Sequence, residues 1–303
     1  MFKLPLKYIL PAIFACLLWS TAFVGVKIGL QYSTPLFFAG IRFVISGLLI
    51  LPFAGPFLEI LQSVRQHYRV IIKVALLQTV IVYALFYTGM TLIAGSLAAI
   101  IIGASPLISA IVAHYTMHDD RMTVFKTISL LIGMTGVIII ALSRQPWQAA
   151  GLREFIGVLI LVLSSFSGAF ANVTVARDSQ TLPPLVLTSV QIFIGGVILL
   201  VISVLVEGVP VFNYPPAYYS ALLWLSVVSA VGFSIWFSLL KKPGVKVSSL
   251  NLWKFIIPVF GAVIAWIILP DEQPEPWAIM GMVFVAFSIL SFNLCSLFSK
   301  RCD

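Results

Sequence analysis

Apolar runs of about 20 residues follow one another along nearly the whole chain, and no other feature restricts its fold so severely. A run of that length matches the roughly 30 Å hydrocarbon core of a bilayer at about 1.5 Å per helical residue. In lipid every backbone N–H and C=O must be satisfied within the segment, so these runs predict helices. A β-barrel needs short alternating segments, and these are too long and too uniformly apolar. Composition agrees: 61% of the 303 residues are hydrophobic and 9% are charged, against about a quarter charged in a soluble domain. The chain reads as an all-α integral membrane protein of ten transmembrane helices, at 8–30, 36–53, 69–89, 91–115, 123–142, 155–173, 185–206, 217–239, 247–269 and 276–298. Connections are short and punctuated by Pro or Gly, as at Pro183-Pro184 and Pro243-Gly244. No segment is long or polar enough for a soluble domain.

The net charge of +8 does not point to nucleic acid, because Lys and Arg cluster beside the ends of apolar runs. Placing both termini in the cytoplasm puts Lys3, Lys7, Arg65, Arg69, Lys73, Arg121, Lys126, Arg177, Lys241, Lys242, Lys246, Lys300 and Arg301 there. The other side then holds Arg144 and Arg153, with Lys27 and Arg42 if counted outward, so both termini are expected to be cytoplasmic. Cys16, Cys295 and Cys302 form no paired framework and have no metal-ligand spacing. The stretch around Phe14-Ala15-Cys16 suits a lipoprotein cleavage box poorly, and the apolar run continues past it, so the first span is expected to stay uncleaved.

The two halves echo each other. A shift of 152 superimposes Pro106 on Pro258, Ala110 on Ala262 and Asp119-Asp120 on Asp271-Glu272. A shift of 149 sets Pro35 on Pro184, Arg42 on Gln191 and Gly47 on Gly196, and a shift of 150 sets Tyr83, Phe86 and Tyr87 against Phe233, Trp236 and Phe237. Residues 8–142 and 155–298 thus form two five-helix repeats. Five is odd, so the second is inverted relative to the first, a recurrent plan of secondary transporters with a midplane site.

Trp19-Ser20-Thr21-Ala22-Phe23 with Lys27, then Pro35 and Arg42-Phe43, resembles the opening of EamA-type domains. The stretches from Pro106 to Asp120 and from Pro258 to Glu272 do so too. Over roughly residues 10–297 the chain resembles a ten-helix member of the drug/metabolite transporter superfamily. The resemblance implies carriage of amino acids, other metabolites or toxic compounds, often outward. One departure is that the sixth span has Ser164-Ser165-Phe166-Ser167 where the first has Trp19.

All ten acids fall in loops or near span ends, leaving no mid-span carboxylate to relay protons or hold Na⁺. That favours uniport or exchange over carboxylate-based ion coupling. Lys254 is the sharpest clue: a lysine at membrane depth, four residues before Pro258 and three after Asn251, on one helical face with both. Proline removes the N–H that would bind the Lys254 carbonyl. Lys254 is therefore expected to line a central cavity and attract an anionic group such as a carboxylate, against the alternative of snorkelling to an interface. Trp19, Gln78, Tyr83, Tyr87, Asn172, Trp236 and Asn251 lie within spans and could add rings and polar groups to a pocket for amphipathic solutes. Arg42 either guards the outer mouth or anchors the interface. Pro106 and Pro258 are the candidate bending points. Gly25 and Gly29, like the series Gly95, Ala99, Gly103, read as smooth stripes for close helix packing.

The rival class, a membrane-embedded enzyme, has little to stand on. His114 and His118 have metal-ligand spacing, but only His67 remains to join them. No nucleophile elbow, zinc-protease or nucleotide-binding motif is present in the sequence. The expectation is a small-molecule transporter in the lipid bilayer, without cofactor or nucleic acid, as monomer or homodimer, in a bacterial inner membrane. A flippase for a lipid-linked substrate is the nearest alternative.

Overall fold

The computed structural model describes residues 6–93, 95–144, 151–209, 213–268 and 276–298, which form helices joined by short turns and contain no strand. Helix α1 (Leu6–Gly29) leads through a turn to α2 (Pro35–Ile50), with Pro35 in its first turn, where no N–H is missed. Helix α3 (Phe57–Val74), a π-helical stretch (Ala75–Ile81) and α4 (Val82–Met90) run on as one long element. It starts at Phe57, well before the expected 69, and has a non-helical residue at His67 (φ −121°, ψ 18°). The early part carries Glu59, Arg65 and Arg69, so it is helical without being uniformly apolar.

The fourth expected span is two helices, α5 (Gly95–Gly103) and α6 (Ser105–Thr116), broken just before Pro106. Then come α7 (Val124–Arg144), α8 (Leu152–Asp178), α9 (Pro184–Val206) and α10 (Pro216–Leu240). The ninth span is broken as well: α11 (Val247–Asn251), a 3-10 turn (Leu252–Phe255) and α12 (Ile256–Ile268). Helix α13 (Pro276–Phe298) closes the order. Among the described residues seven helices are long and apolar enough to cross a membrane, and Val247–Gly261 and Pro276–Phe292 are shorter apolar helices.

The tightest packing joins α2 to α9 and α7 to α13. Both crossings need glycine. A Cβ at Gly196 would sit 2.6 Å from the Val44 nitrogen, and one at Gly281 would sit 2.7 Å from the Gly136 oxygen. Without a hydrophobic drive between helices in lipid, such backbone approach supplies the association energy. Glu207, at the end of α9, ties the same pair at one mouth: its two oxygens accept the N–H groups of Leu36 (2.9 Å) and Phe37 (3.0 Å). A carboxylate there satisfies donors that the first turn of α2 leaves open.

The π-helical stretch is held from outside. Ser167 donates to the Leu77 carbonyl (2.7 Å) and Ser164 to the Val82 carbonyl (2.8 Å), so the serines that replace a tryptophan in the sixth span clamp the irregular backbone of the third.

Candidate functional site

Lys254 lies in the 3-10 turn between α11 and α12. Pro258 offers no N–H to its carbonyl, and the backbone responds by tightening: the Ile256 N–H turns to the carbonyls of Trp253 and Lys254. The carbonyl expected to be free is thus taken up within the turn. The side chain is partly buried and its ammonium lies over two indoles, 4.8 Å from the Trp236 ring centre and 5.8 Å from that of Trp19. Trp19 packs on Trp236 (5.1 Å) and Phe233 (5.6 Å) and lies against the bare backbone of α10 at Gly232. No carboxylate among the described residues pairs with Lys254. Ring faces return about 0.5–2 kcal/mol per cation, whereas a mid-span lysine costs about 2.5–3.5 kcal/mol. The charge is therefore partly compensated and retains capacity for an anion. Beside it the buried Trp236 Nε1–H has no hydrogen-bond partner.

A second group forms on α2, α4 and α9. Arg42 is 4% exposed, with its guanidinium 4.3 Å from the Phe43 ring centre and 5.3 Å from that of Tyr83. Tyr83 packs edge-on to Phe43 (4.5 Å) and stands 6.5 Å from Tyr87. One turn before Tyr83, Thr79 donates to Gln191 Oε1 (3.0 Å). Gln78, in the same π-helical stretch, is buried.

Of the residues singled out in the sequence, Trp19, Trp236 and Lys254 thus meet in one cluster and Arg42, Tyr83 and Tyr87 in another. Asn172 and Asn251 meet each other instead. The Asn172 amide donates to Asn251 Oδ1 (3.2 Å), and the Asn251 amide donates to the Val247 carbonyl (2.9 Å). This pair joins α8 to α11. Phe43 and Phe233 complete the clusters, and nothing in an apolar sequence marks one phenylalanine above another.

Pro106 and Pro258 each stand just after a break, and the two broken stretches touch, α6 packing on α11 and on the 3-10 turn. There a buried polar clasp ties the α6–α7 turn to α11. Asp120 accepts from the Lys126 ammonium (2.7 Å) and the Ser248 N–H (2.8 Å), and also binds the Ser248 hydroxyl. Lys126 donates further to Ser248 Oγ and the Arg121 carbonyl, both at 3.0 Å. Asp120, Lys126 and Ser248 are all buried. The sequence signal was the acid ending the repeated Pro-to-acid stretch; its partner lysine left none. Nearby, His114 Nδ1 accepts the Met122 N–H (3.0 Å), which makes it a loop fastener.

A solved crystal structure superposes with a TM-score of 0.84 over 97% of this chain and 99% of its own, at 14% identity, which shows the fold. The uncharacterized transporter YvbV of Bacillus subtilis (strain 168) is 27% identical, with 92% of this chain and 89% of the relative covered. The S-adenosylmethionine/S-adenosylhomocysteine transporter of Chlamydia muridarum (strain MoPn / Nigg) is 25% identical, with 91% and 87% covered. The profile of the EamA-like transporter family matches twice, over residues 6–142 and 155–294. A chain whose two halves each carry that profile, with apolar spans and relatives named as transporters, is a membrane transporter, and it belongs to the EamA-like transporter family within the drug/metabolite transporter superfamily.

Proposed function

We propose that this protein is a secondary transporter in a bacterial inner membrane. It moves small carboxylate-bearing solutes, amino acids foremost and outward, by uniport or exchange. The observation that carries this reading is the Lys254 ammonium, set at membrane depth on the faces of Trp19 and Trp236 with no acid paired to it among the described residues. An unpaired cation in a span is costly enough that a ligand for it is the simplest reason to keep it. The rings around it suit the apolar body of an amphipathic solute. S-adenosylmethionine, named for the chlamydial relative, itself carries an amino-acid end, which suits a lysine beside indoles.

The helix packing supports alternating access between two inverted five-helix halves. Exchanging α1 with α8, α2 with α9, α4 with α10 and α6 with α12 maps observed packings onto observed packings: α1 on α10 becomes α8 on α4, and α1 on α12 becomes α8 on α6. Ten spans, with both termini cytoplasmic, accommodate this exchange. The Asp120 clasp then closes the cytoplasmic end.

Uptake into proteoliposomes preloaded with unlabelled amino acids, with a panel of labelled ones, tests this reading. Saturable uptake that needs no pH gradient is expected. Strict dependence on the gradient would overturn the uncoupled mode, and no uptake of any amino acid by folded protein would overturn the solute class.

A further inference from the structure

A cleft of about 250 Å³ opens where the α8–α9 turn meets the end of α10. Residues 180–184 of the turn form one wall, and Ser238, Lys241 and Lys242 form the other. The two lysines there have no acid to answer them. Lys241 is half-buried, and its ammonium donates to the carbonyls of Ser179 and Leu182, which fastens the turn to α10. An ammonium has three N–H groups, so one remains beyond those two carbonyls. Burial pushes this lysine, which lies just past the span, down to about 8. A bound anion would oppose that shift. Lys242 is exposed and has no side-chain partner among the described residues. The acid that ends α8, Asp178, is already shared by Lys73 (3.2 Å) and Arg177 (2.7 Å).

The cleft lies on the lipid side of α10. Trp224, Val231 and Ser238 follow at intervals of seven, which keeps them on one helical face. Trp224 and Val231 are 44% and 37% exposed, as side chains are that meet acyl chains. Ser238 and then Lys242 carry this stripe to the end of the helix. Trp236, which bears Lys254, is two residues from Ser238 and so about 200° round the helix. Leu182, Pro183 and Pro184 make the facing wall apolar. The cleft thus sets apolar surface beside ammonium groups at the depth where a span ends. Helix α3 brings the exposed Arg65 to the same side, since His67 reaches Thr181 of the turn (2.9 Å).

We infer that this cleft binds the phosphate head group of an anionic phospholipid. The phosphate takes the remaining N–H of Lys241 and the Lys242 ammonium. The glycerol lies against Leu182, Pro183 and Pro184, and an acyl chain runs along the stripe of Val231 and Trp224. Basic pockets at the ends of spans are suited to such head groups. Inorganic phosphate shares the charge and lacks the chains that the stripe would hold. The site is separate from the Lys254 cluster and does not depend on which solute is carried.

Native mass spectrometry of the purified full-length protein, titrated with phosphatidylglycerol or separately with phosphatidylcholine, tests this site. Phosphatidylglycerol should be retained more tightly. Lys242→Gln should weaken its retention about fivefold, the effect of one lysine beside an anionic lipid surface, and leave phosphatidylcholine unaffected. Lys241→Gln should weaken it at least as much. Ser238→Phe fills the cleft without altering charge and should weaken it too, which decides the matter should Lys241→Gln fail to fold. Arg65→Gln removes an exposed charge on the same side but outside the cleft, and should change nothing. Equal retention of the two lipids, or a loss in Arg65→Gln as large as in Lys242→Gln, overturns the site. So does full retention in both Lys242→Gln and Ser238→Phe. Displacement of phosphatidylglycerol by an equal concentration of inorganic phosphate overturns the lipid assignment in favour of a free anion.

Discussion

At the scale of single residues, Trp236 is where ring face and hydrogen-bond donor can be separated. Phenylalanine keeps an aromatic surface under the Lys254 ammonium and removes the unpartnered Nε1–H. A hydrogen bond to a charged acceptor contributes about 1.5–3 kcal/mol. Trp236→Phe is accordingly expected to raise the KM for a carboxylate solute about tenfold, at about 1.4 kcal/mol per decade, with folding unchanged, measured by counterflow. An unchanged KM would mean that no solute oxygen reaches this N–H. Much at this scale was legible in the sequence. A cation among apolar residues announces itself, so Lys254 and Arg42 stood out, and Trp19 and Trp236 did so by type. Which neighbour each one faces was not legible. Helical periodicity gives depth and face, whereas the mutual bonding of Asn172 and Asn251, and the division into two clusters, arise only when separate helices pack.

Among elements, backbone approach at glycines governs the α2–α9 and α7–α13 pairs. A methyl group added at Gly281 would meet the Gly136 oxygen and Ile140 Cγ1, each at 2.7 Å, and neither backbone can yield without parting the helices. Overpacking of this kind costs about 1–3 kcal/mol. Gly281→Ala is therefore expected to lower the thermal midpoint of the purified protein by several degrees. No change would show that α13 shifts freely on α7. Repetition in the sequence placed Gly47 opposite Gly196 without revealing that α2 and α9, which carry them, lie side by side. The irregular elements were harder to read. Prolines made the fourth and ninth spans candidates for bending, and the structure has a helix break just before each proline. The π-helical stretch Ala75–Ile81 left no sign, because its backbone is stabilised by Ser164 and Ser167 from a helix some ninety residues on.

For the whole molecule, the Asp120–Lys126–Ser248 clasp, which ties the α6–α7 turn to α11, is the contact expected to hold one mouth shut. Removing one partner of a buried ion pair costs about 3–5 kcal/mol in the state that contains it. Asp120→Asn should therefore populate the state open at the α6–α7 side. Cys16 is fully buried one turn before Trp19 and serves as a native reporter. With Cys295 and Cys302 replaced by serine, a membrane-impermeant thiol reagent applied from that side should label Cys16 at least fivefold faster in Asp120→Asn. Equal rates would mean that the clasp stabilises the fold without gating it. The all-helical membrane class was legible from apolar run length alone, because lipid leaves the backbone few other options. The number of unbroken crossings was not, since the fourth and ninth runs look continuous in composition and are discontinuous in backbone.

Binding of a solute carboxylate by Lys254 is measured by counterflow of a transported amino acid through Lys254→Gln and Lys254→Arg in proteoliposomes of matched protein content. Lys254→Gln is expected to lower kcat/KM at least tenfold, and Lys254→Arg to recover part of the loss because the positive charge persists. Glutamine transport at the wild-type rate would contradict it and return Lys254 to a structural role.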